Sequence, residues 1–146
     1  MQVRVQSDAF DTGAELAGFA QGRHDIGAVV SFTGVVRDTA GDLDHMLMEH
    51  YPGMTERAIG GIVDQAVARW ALVDVLVIHR YGALAPGAPI MMVATAAGHR
   101  AEAFAAADFL MDYLKSRAPF WKKEVTREGA AWVAAKDADE QALKRW

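Results

Sequence analysis

Lys115, Arg117, Lys122 and Lys123 place three lysines and an arginine within nine residues of a chain whose net charge is −4. Pro119, Phe120 and Trp121 divide them into two pairs. Amines grouped in this way bind anions. An amine whose pKa is lowered by burial or by neighbouring cations also becomes a base or a nucleophile. The competing reading is a solvated helix end, because the macrodipole alone favours Lys and Arg in a last turn.

A second basic pair, His99-Arg100, follows Gly98 at the expected start of a long helix. First-turn amides are unpaired and the helix dipole is positive there, so an added imidazole and guanidinium make a seat for phosphate or carboxylate. A cation in a first turn opposes the dipole, which favours function over chance. Arg37 ends an apolar strand and opens a polar loop, a common ligand position; pairing with Asp38 is the alternative. Gly34 suits a close backbone approach or a bulge. Lys115 follows Leu114 near the helix end. Strand alternation beyond Pro119 puts Phe120 and Lys122 on one face, and Trp121 and Lys123 on the other. At most one of the two strand lysines therefore shares a pocket with Lys115. His45, His50 and His79 show no His-Glu-x-x-His spacing and read as structural. No P-loop, dinucleotide fingerprint or Gly-x-Ser-x-Gly elbow is present. No metal or cofactor site is expected.

The composition narrows the classes. The pI of about 5.7 argues against a general nucleic-acid binder. The chain has no cysteine, which excludes disulfides, thiolate metal sites and a cysteine nucleophile. No secretory leader and no membrane-length apolar run are read in the chain, so a cytoplasmic location is the expectation. Its 146 residues suit a single domain spanning 1–146.

The elements that must position these groups follow from periodicity. Val3 and Val5 mark a short strand. Asp11 or Thr12 caps a helix carrying Leu16, Ala17, Phe19 and Ala20. Ile26 to Val36 reads as a mostly buried strand, residues 37–44 as a loop or hairpin tip, and Met46 to Tyr51 as the returning strand. Thr55 caps a helix with Ala58, Ile59, Ile62, Val63, Ala66, Val67 and Trp70 on one face. Asp74 to Arg80 is a strand, Gly82 to Pro89 a turn or loop, and Ile90 to Ala96 a strand. The long helix runs from about His99 to Arg117, with Ala101, Phe104, Ala105, Phe109 and Leu110 inward, and Pro119 stops it. Phe120–Thr126 and Ala131–Ala134 form a terminal hairpin, and Asp137–Trp146 a short helix. The expected class is α+β: a largely antiparallel sheet with hairpins, two main helices packed on it, and a short C-terminal helix.

In this order, the pieces resemble the large catalytic subunit of molybdopterin synthase. The resemblance rests on Gly27-Ala-Val-Val-Ser-Phe-Thr-Gly-Val-Val-Arg37, Glu49-His-Tyr-Pro-Gly-Met-Thr55, Ile78-His-Arg-Tyr-Gly82, His99-Arg100 and Met111-Asp-Tyr-Leu-Lys-Ser-Arg-Ala-Pro-Phe-Trp-Lys-Lys-Glu124. Lys144-Arg-Trp146 also matches, and the similarity covers roughly residues 26–146. It implies a sulfurtransferase of molybdenum cofactor biosynthesis. Such an enzyme converts cyclic pyranopterin monophosphate to the molybdopterin dithiolene. Its sulfur comes from the C-terminal thiocarboxylate of a small ubiquitin-like carrier. The missing cysteine fits a sulfur supplied by another chain, and the ending in Arg-Trp rather than Gly-Gly leads to the expectation that the carrier is separate.

By motif, the resemblance implies catalytic roles for Lys115 and Lys122. Lys115 would be acid/base or transient nucleophile, and Lys122 would stabilise developing negative charge or steer the thiocarboxylate tail. It implies substrate contacts at Val35, Val36, Arg37, His99, Arg100, Lys115, Lys122, Lys123 and Glu124. It further implies a central homodimer in a heterotetramer, with His99-Arg100 entering the neighbouring protomer's site. Family members often carry serine two residues before the histidine; here that position is Ala97. Two other classes stay open on the residues alone: a noncatalytic module for a phosphorylated small molecule, and a scaffold for a ubiquitin-like partner.

Overall fold

A computed structural model describes residues 1–146. The elements are β1 (Gln2–Gln6), α1 (Thr12–Phe19), β2 (Ala28–Val35), β3 (Leu43–His50), α2 (Met54–Arg69), β4 (Leu72–Arg80), β5 (Gly82–Leu84), β6 (Pro89–Ala97), α3 (Arg100–Arg117), β7 (Phe120–Thr126), β8 (Gly129–Trp132) and α4 (Asp137–Ala142). A single 3₁₀ turn, Leu143–Arg145, follows α4. The class is α+β, as expected. The strands form two four-stranded sheets, ordered β1-β4-β6-β2 and β5-β3-β7-β8. All pairs are antiparallel except β1 with β4.

Several local expectations change. β3 does not return along β2. β2 pairs with β6, whereas β3 pairs with β5 and β7, so the loop after Arg37 carries the chain from one sheet to the other. Part of the expected Gly82–Pro89 loop is strand β5, laid against Met46–Met48. β2 is an edge strand of the first sheet, not a mostly buried one: Val29, Phe32 and Val35 are exposed. β8 starts two residues earlier than expected, at Gly129.

The helix caps follow local chemistry. The Asp11 carboxylate accepts from the Ala14 amide at 3.0 Å, as an N-cap should. For α2 the cap is Gly53, at φ 80°, and not Thr55. The Gly53 amide donates to the Glu56 carboxylate at 2.8 Å, while the buried Thr55 hydroxyl donates to the Tyr51 carbonyl. α3 stops at Arg117, before Ala118-Pro119, as the proline requires.

Three apolar clusters hold the layers together. The largest joins Ile59, Ile62, Val63 and Ala66 of α2 and Phe109, Leu110 and Leu114 of α3 to Val75, Val77, Met91 and Val93 of the first sheet. Leu76, Ile78, Met92 and Ala94 occupy the opposite face, under Phe10 and Phe19. Val36, Met46, Met48 and Leu84 form a smaller core at the second sheet, and Phe120 packs against both this cluster and the largest one. The buried face of α3 differs from expectation: Ala103, Ala106 and Ala107 turn inward, while Phe104 is 62% exposed. Alanine fits either face of a helix, so an alanine-rich stretch does not announce its orientation. Small side chains let α3 lie close to the sheet, which selects the alanine stripe.

The C-terminal residues are tied back onto α2 and α3. Arg145 bonds Asp108 and Asp112, the Trp146 indole donates to Asp112 at 2.6 Å, and Arg69 donates to the Trp146 carbonyl. The Trp146 ring meets Trp70 and Phe109 edge-on.

Gly27 is where a side chain has no room. A Cβ there would lie 2.1 Å from the Gly98 carbonyl oxygen, a backbone atom that cannot swing aside. Gly27→Ala is therefore expected to destabilise the protein by about 2 kcal/mol, the range of an overpacked core. A lowered urea midpoint with an unchanged slope checks this. The displaced residue directly precedes His99-Arg100, so the basic pair should shift with it.

Candidate functional site

The site begins where α3 ends and β7 begins. Ala118, in an extended conformation, and Pro119 separate Lys115 in the last turns of α3 from Lys122 in β7. Phe120, Lys122 and Glu124 stand opposite His50, Met48 and Met46 of β3. Directly opposed residues of an antiparallel pair share a face. Met46 and Met48 are buried, so Lys122 projects from the core-facing side of the second sheet. Trp121 and Lys123 take the other side, where the Lys123 ammonium lies 4.5 Å from the centre of the Trp132 ring. The division between Lys122 and Lys123 is as strand alternation predicts.

Lys122 has its pKa lowered from the ordinary lysine value. Loss of hydration is the largest cause, and the Lys115 charge is the second, followed by Lys136. Lys122 is exposed, as Lys115 is, yet the protein around its base removes part of the water that would hydrate the ammonium. Asp139 and Glu124 act in the opposite sense and weaken the shift. Lys115 itself is exposed. The two lysines seven residues apart in sequence are thus electrostatic neighbours, the condition for a reactive amine.

Behind Lys122 lies an aromatic group that the spacing of residues did not reveal. His79 of β4 is buried and stacks on Phe120, with centroids 3.7 Å apart and planes 16° apart. His50 lies 4.4 Å from Tyr81 and 6.0 Å from Phe120, centroid to centroid. Burial lowers the His79 pKa to about 4; the hydrogen bond that His79 donates to the Arg80 carbonyl raises it, and Lys122 and His50 make smaller lowering contributions. His79 is therefore neutral at physiological pH, and its contribution to stability is full above about 6.5 and lost as pH falls through about 4. Lys136 was also not anticipated: it sits in a polar run ahead of α4, and only the return of the C-terminal segment brings it near Lys122.

The other anticipated residues separate into two places. Arg37 and Glu124 line a small cleft of about 70 Å³ together with Asp38, Asp42 and Thr126. Asp38 accepts from the Gly41 amide at 2.9 Å, which shapes the loop. Val35 is exposed beside it, whereas Val36 is a core residue, 2% exposed, with its amide bonded to Ala88 and its carbonyl to Gly87. His99 and Arg100 are exposed at the opposite end of α3. His99 is the N-cap and makes no side-chain capping bond. Fifteen residues at about 1.5 Å each put Arg100 roughly 22 Å along the helix from Lys115. One protomer therefore does not bring the basic pair to the lysines.

Comparisons with known proteins agree on one family. The model of the MoaE protein family matches residues 5–117. The molybdopterin synthase catalytic subunit of Cereibacter sphaeroides is 67% identical over 146 residues, covering 100% of both chains. A solved molybdopterin biosynthesis MoaE protein from Burkholderia ambifaria superposes with a TM-score of 0.86 at 49% identity, covering 99% of this chain and 97% of that one. The crystal structure of molybdopterin synthase from Staphylococcus aureus gives 0.82 at 27% identity, over 90% and 96% of the two chains. With two thirds of its residues shared with a full-length relative and the family's fold throughout, the chain belongs to the MoaE protein family.

Proposed function

We propose that this chain is the catalytic subunit of a molybdopterin synthase, a sulfurtransferase acting in the cytoplasm as one domain spanning residues 1–146. Its substrate is cyclic pyranopterin monophosphate, and its partner is a small ubiquitin-like carrier bearing a C-terminal thiocarboxylate. Relatives at up to 67% identity over the full length carry this activity in their names. The observation that supports the assignment of roles is the approach of Lys122 to Lys115 across Pro119, with the Lys122 amine partly dehydrated.

In this reading Lys115 exchanges protons with, or transiently holds, the carrier's acyl group as sulfur leaves it. Lys122 stabilises the negative charge that develops there. Arg37, on the loop between the sheets, and His99-Arg100 hold the substrate and its phosphate. Because the basic pair lies roughly 22 Å along α3 from Lys115, it serves the site of a second protomer in a central homodimer. Two features favour such a dimer. β2 has one unpaired edge, and an open, largely apolar groove of about 620 Å³ runs between β2 and α3, lined by Phe32, Phe104 and Met111 among others. A carrier at each outer end completes the heterotetramer.

The test mixes the protein with thiocarboxylated carrier and the pterin precursor and follows products by mass spectrometry. Molybdopterin and carrier carboxylate should appear together. Carrier carboxylate without a dithiolene would sink the reaction assigned here, and binding without turnover would return the chain to a noncatalytic module.

A further inference from the structure

On β4, Val75, Val77 and His79 form one alternating row, and the two valines belong to the core under α2 and α3. His79 ends that row as an imidazole where a hydrocarbon would serve burial better. Its Nδ1 lies 2.9 Å from the Arg80 carbonyl. A carbonyl oxygen only accepts, so in the neutral ring Nδ1 carries the proton. That bond sets the ring, and the ring lies flat against Phe120. β4 belongs to the first sheet and β7 to the second, so this stack joins the two sheets at the residue that opens β7. His50 borders Phe120 from β3, its Nδ1 3.2 Å from the Thr55 hydroxyl, whose own proton goes to the Tyr51 carbonyl. Lys122 is the next residue on that face of β7.

We propose that His79 is a positioning residue for Lys122: its imidazole, oriented by the Arg80 carbonyl, is the shelf on which Phe120 rests, and it thereby fixes β7 so that Lys122 is held on the core-facing side of the strand, near Lys115. The proposal rests on the reading of Lys122 as the amine that stabilises negative charge in the site. The charged groups facing Lys122 are Lys115 from α3, Lys136 from the segment before α4, Asp139 from α4 and Glu124 from its own strand, while His79 itself faces Lys122 and His50. Neutral at working pH, His79 adds no charge to this set and acts through shape. Removing the ring frees Phe120 to tilt, rehydrates Lys122, and returns its titration toward that of an ordinary lysine. The ammonium then persists to higher pH.

The experiment is an NMR titration of the full chain labelled in lysine, with the Lys122 signal assigned from its loss in Lys122→Arg. His79→Gln keeps an N–H for the Arg80 carbonyl but has no ring; His79→Phe keeps a ring but has no N–H. The expected result is a higher Lys122 midpoint in His79→Gln, with the falling limb of the pH–rate profile, where the Lys122 ammonium is lost, moved to higher pH, and near-native behaviour of both in His79→Phe. An unchanged Lys122 midpoint in His79→Gln overturns the proposal, whatever happens to its melting temperature. So does an equal shift in His79→Phe, because a ring would then be in place under Phe120 without holding the Lys122 titration. If His79→Gln does not fold, Phe120→Leu removes the stacking partner and must produce the same upward shift; no shift overturns the proposal. The titration uses neither carrier nor pterin, so its outcome is independent of whether the sulfur-transfer reading holds.

Discussion

Lys115→Ala is expected to lower molybdopterin formation about 100-fold or more, the typical effect of removing a positioned acid or base, while leaving carrier binding nearly unchanged. Lys115 is exposed, so truncating it opens no cavity and the fold should persist. The check is twofold: single-turnover product formation by mass spectrometry, and carrier affinity by calorimetry. Lys115→Arg sharpens the result, because guanidinium keeps the charge but does not give up its proton near neutrality. If arginine restores turnover, the charge at position 115 matters and its proton does not, and the acid/base or nucleophilic role is wrong. If alanine abolishes carrier binding, Lys115 belongs to the docking surface. Lys122 should also respond: with the Lys115 charge gone, the second-largest influence lowering its pKa disappears, and its titration should move up.

The second large effect concerns assembly. His99→Ala/Arg100→Ala and Lys115→Ala should each be nearly inactive alone, yet a mixture refolded together should recover activity. In a two-fold dimer each site is completed by the partner's basic pair. A mixed dimer then carries one site with both an intact lysine and an intact basic pair, and one site with neither. Random pairing makes half the dimers mixed, so recovery should reach about one quarter of the native specific activity under that symmetric arrangement. The physical ground is the length of α3, which keeps Arg100 roughly 22 Å along the helix from Lys115 in one chain. Mixtures that stay inactive although each variant dimerises would overturn the shared site. Size-exclusion chromatography of each variant separates this outcome from a failure to dimerise.

The family and the chemistry were legible in short motifs because those motifs lie where the backbone itself dictates geometry. Pro119 must end α3, so Lys115 and Lys122 had to lie on two successive elements, helix and strand. Strand alternation had to turn Lys123 away from Lys122, and Lys123 does stack on Trp132. What was not legible depends on which strands meet. The pairing of β3 with β7 and not with β2 follows from packing two sheets around shared apolar residues, and no local pattern near residues 37–44 encodes it. The same holds for α3. Its alanines satisfy either face equally well, so only the close approach to the first sheet decides that Ala103, Ala106 and Ala107 are buried and Phe104 is not.

From the sequence by itself came the positions of most helices and strands, the proline stop, the split between Lys122 and Lys123, and a basic pair at the head of the long helix. These are properties of nearest neighbours and of the 3.6- and 2-residue periods. Only the tertiary structure decided that His79, thirty-six residues before Lys115, lies under Phe120, that Lys136 adds its charge to Lys122, that Val36 is core, and that His99-Arg100 stands away from its own chain's lysines. The reason is that dehydration and charge proximity are set by residues distant in sequence. The basic stretch carries amines, and the burial of Lys122 together with the charges of Lys115 on α3 and Lys136 before α4 lowers its pKa.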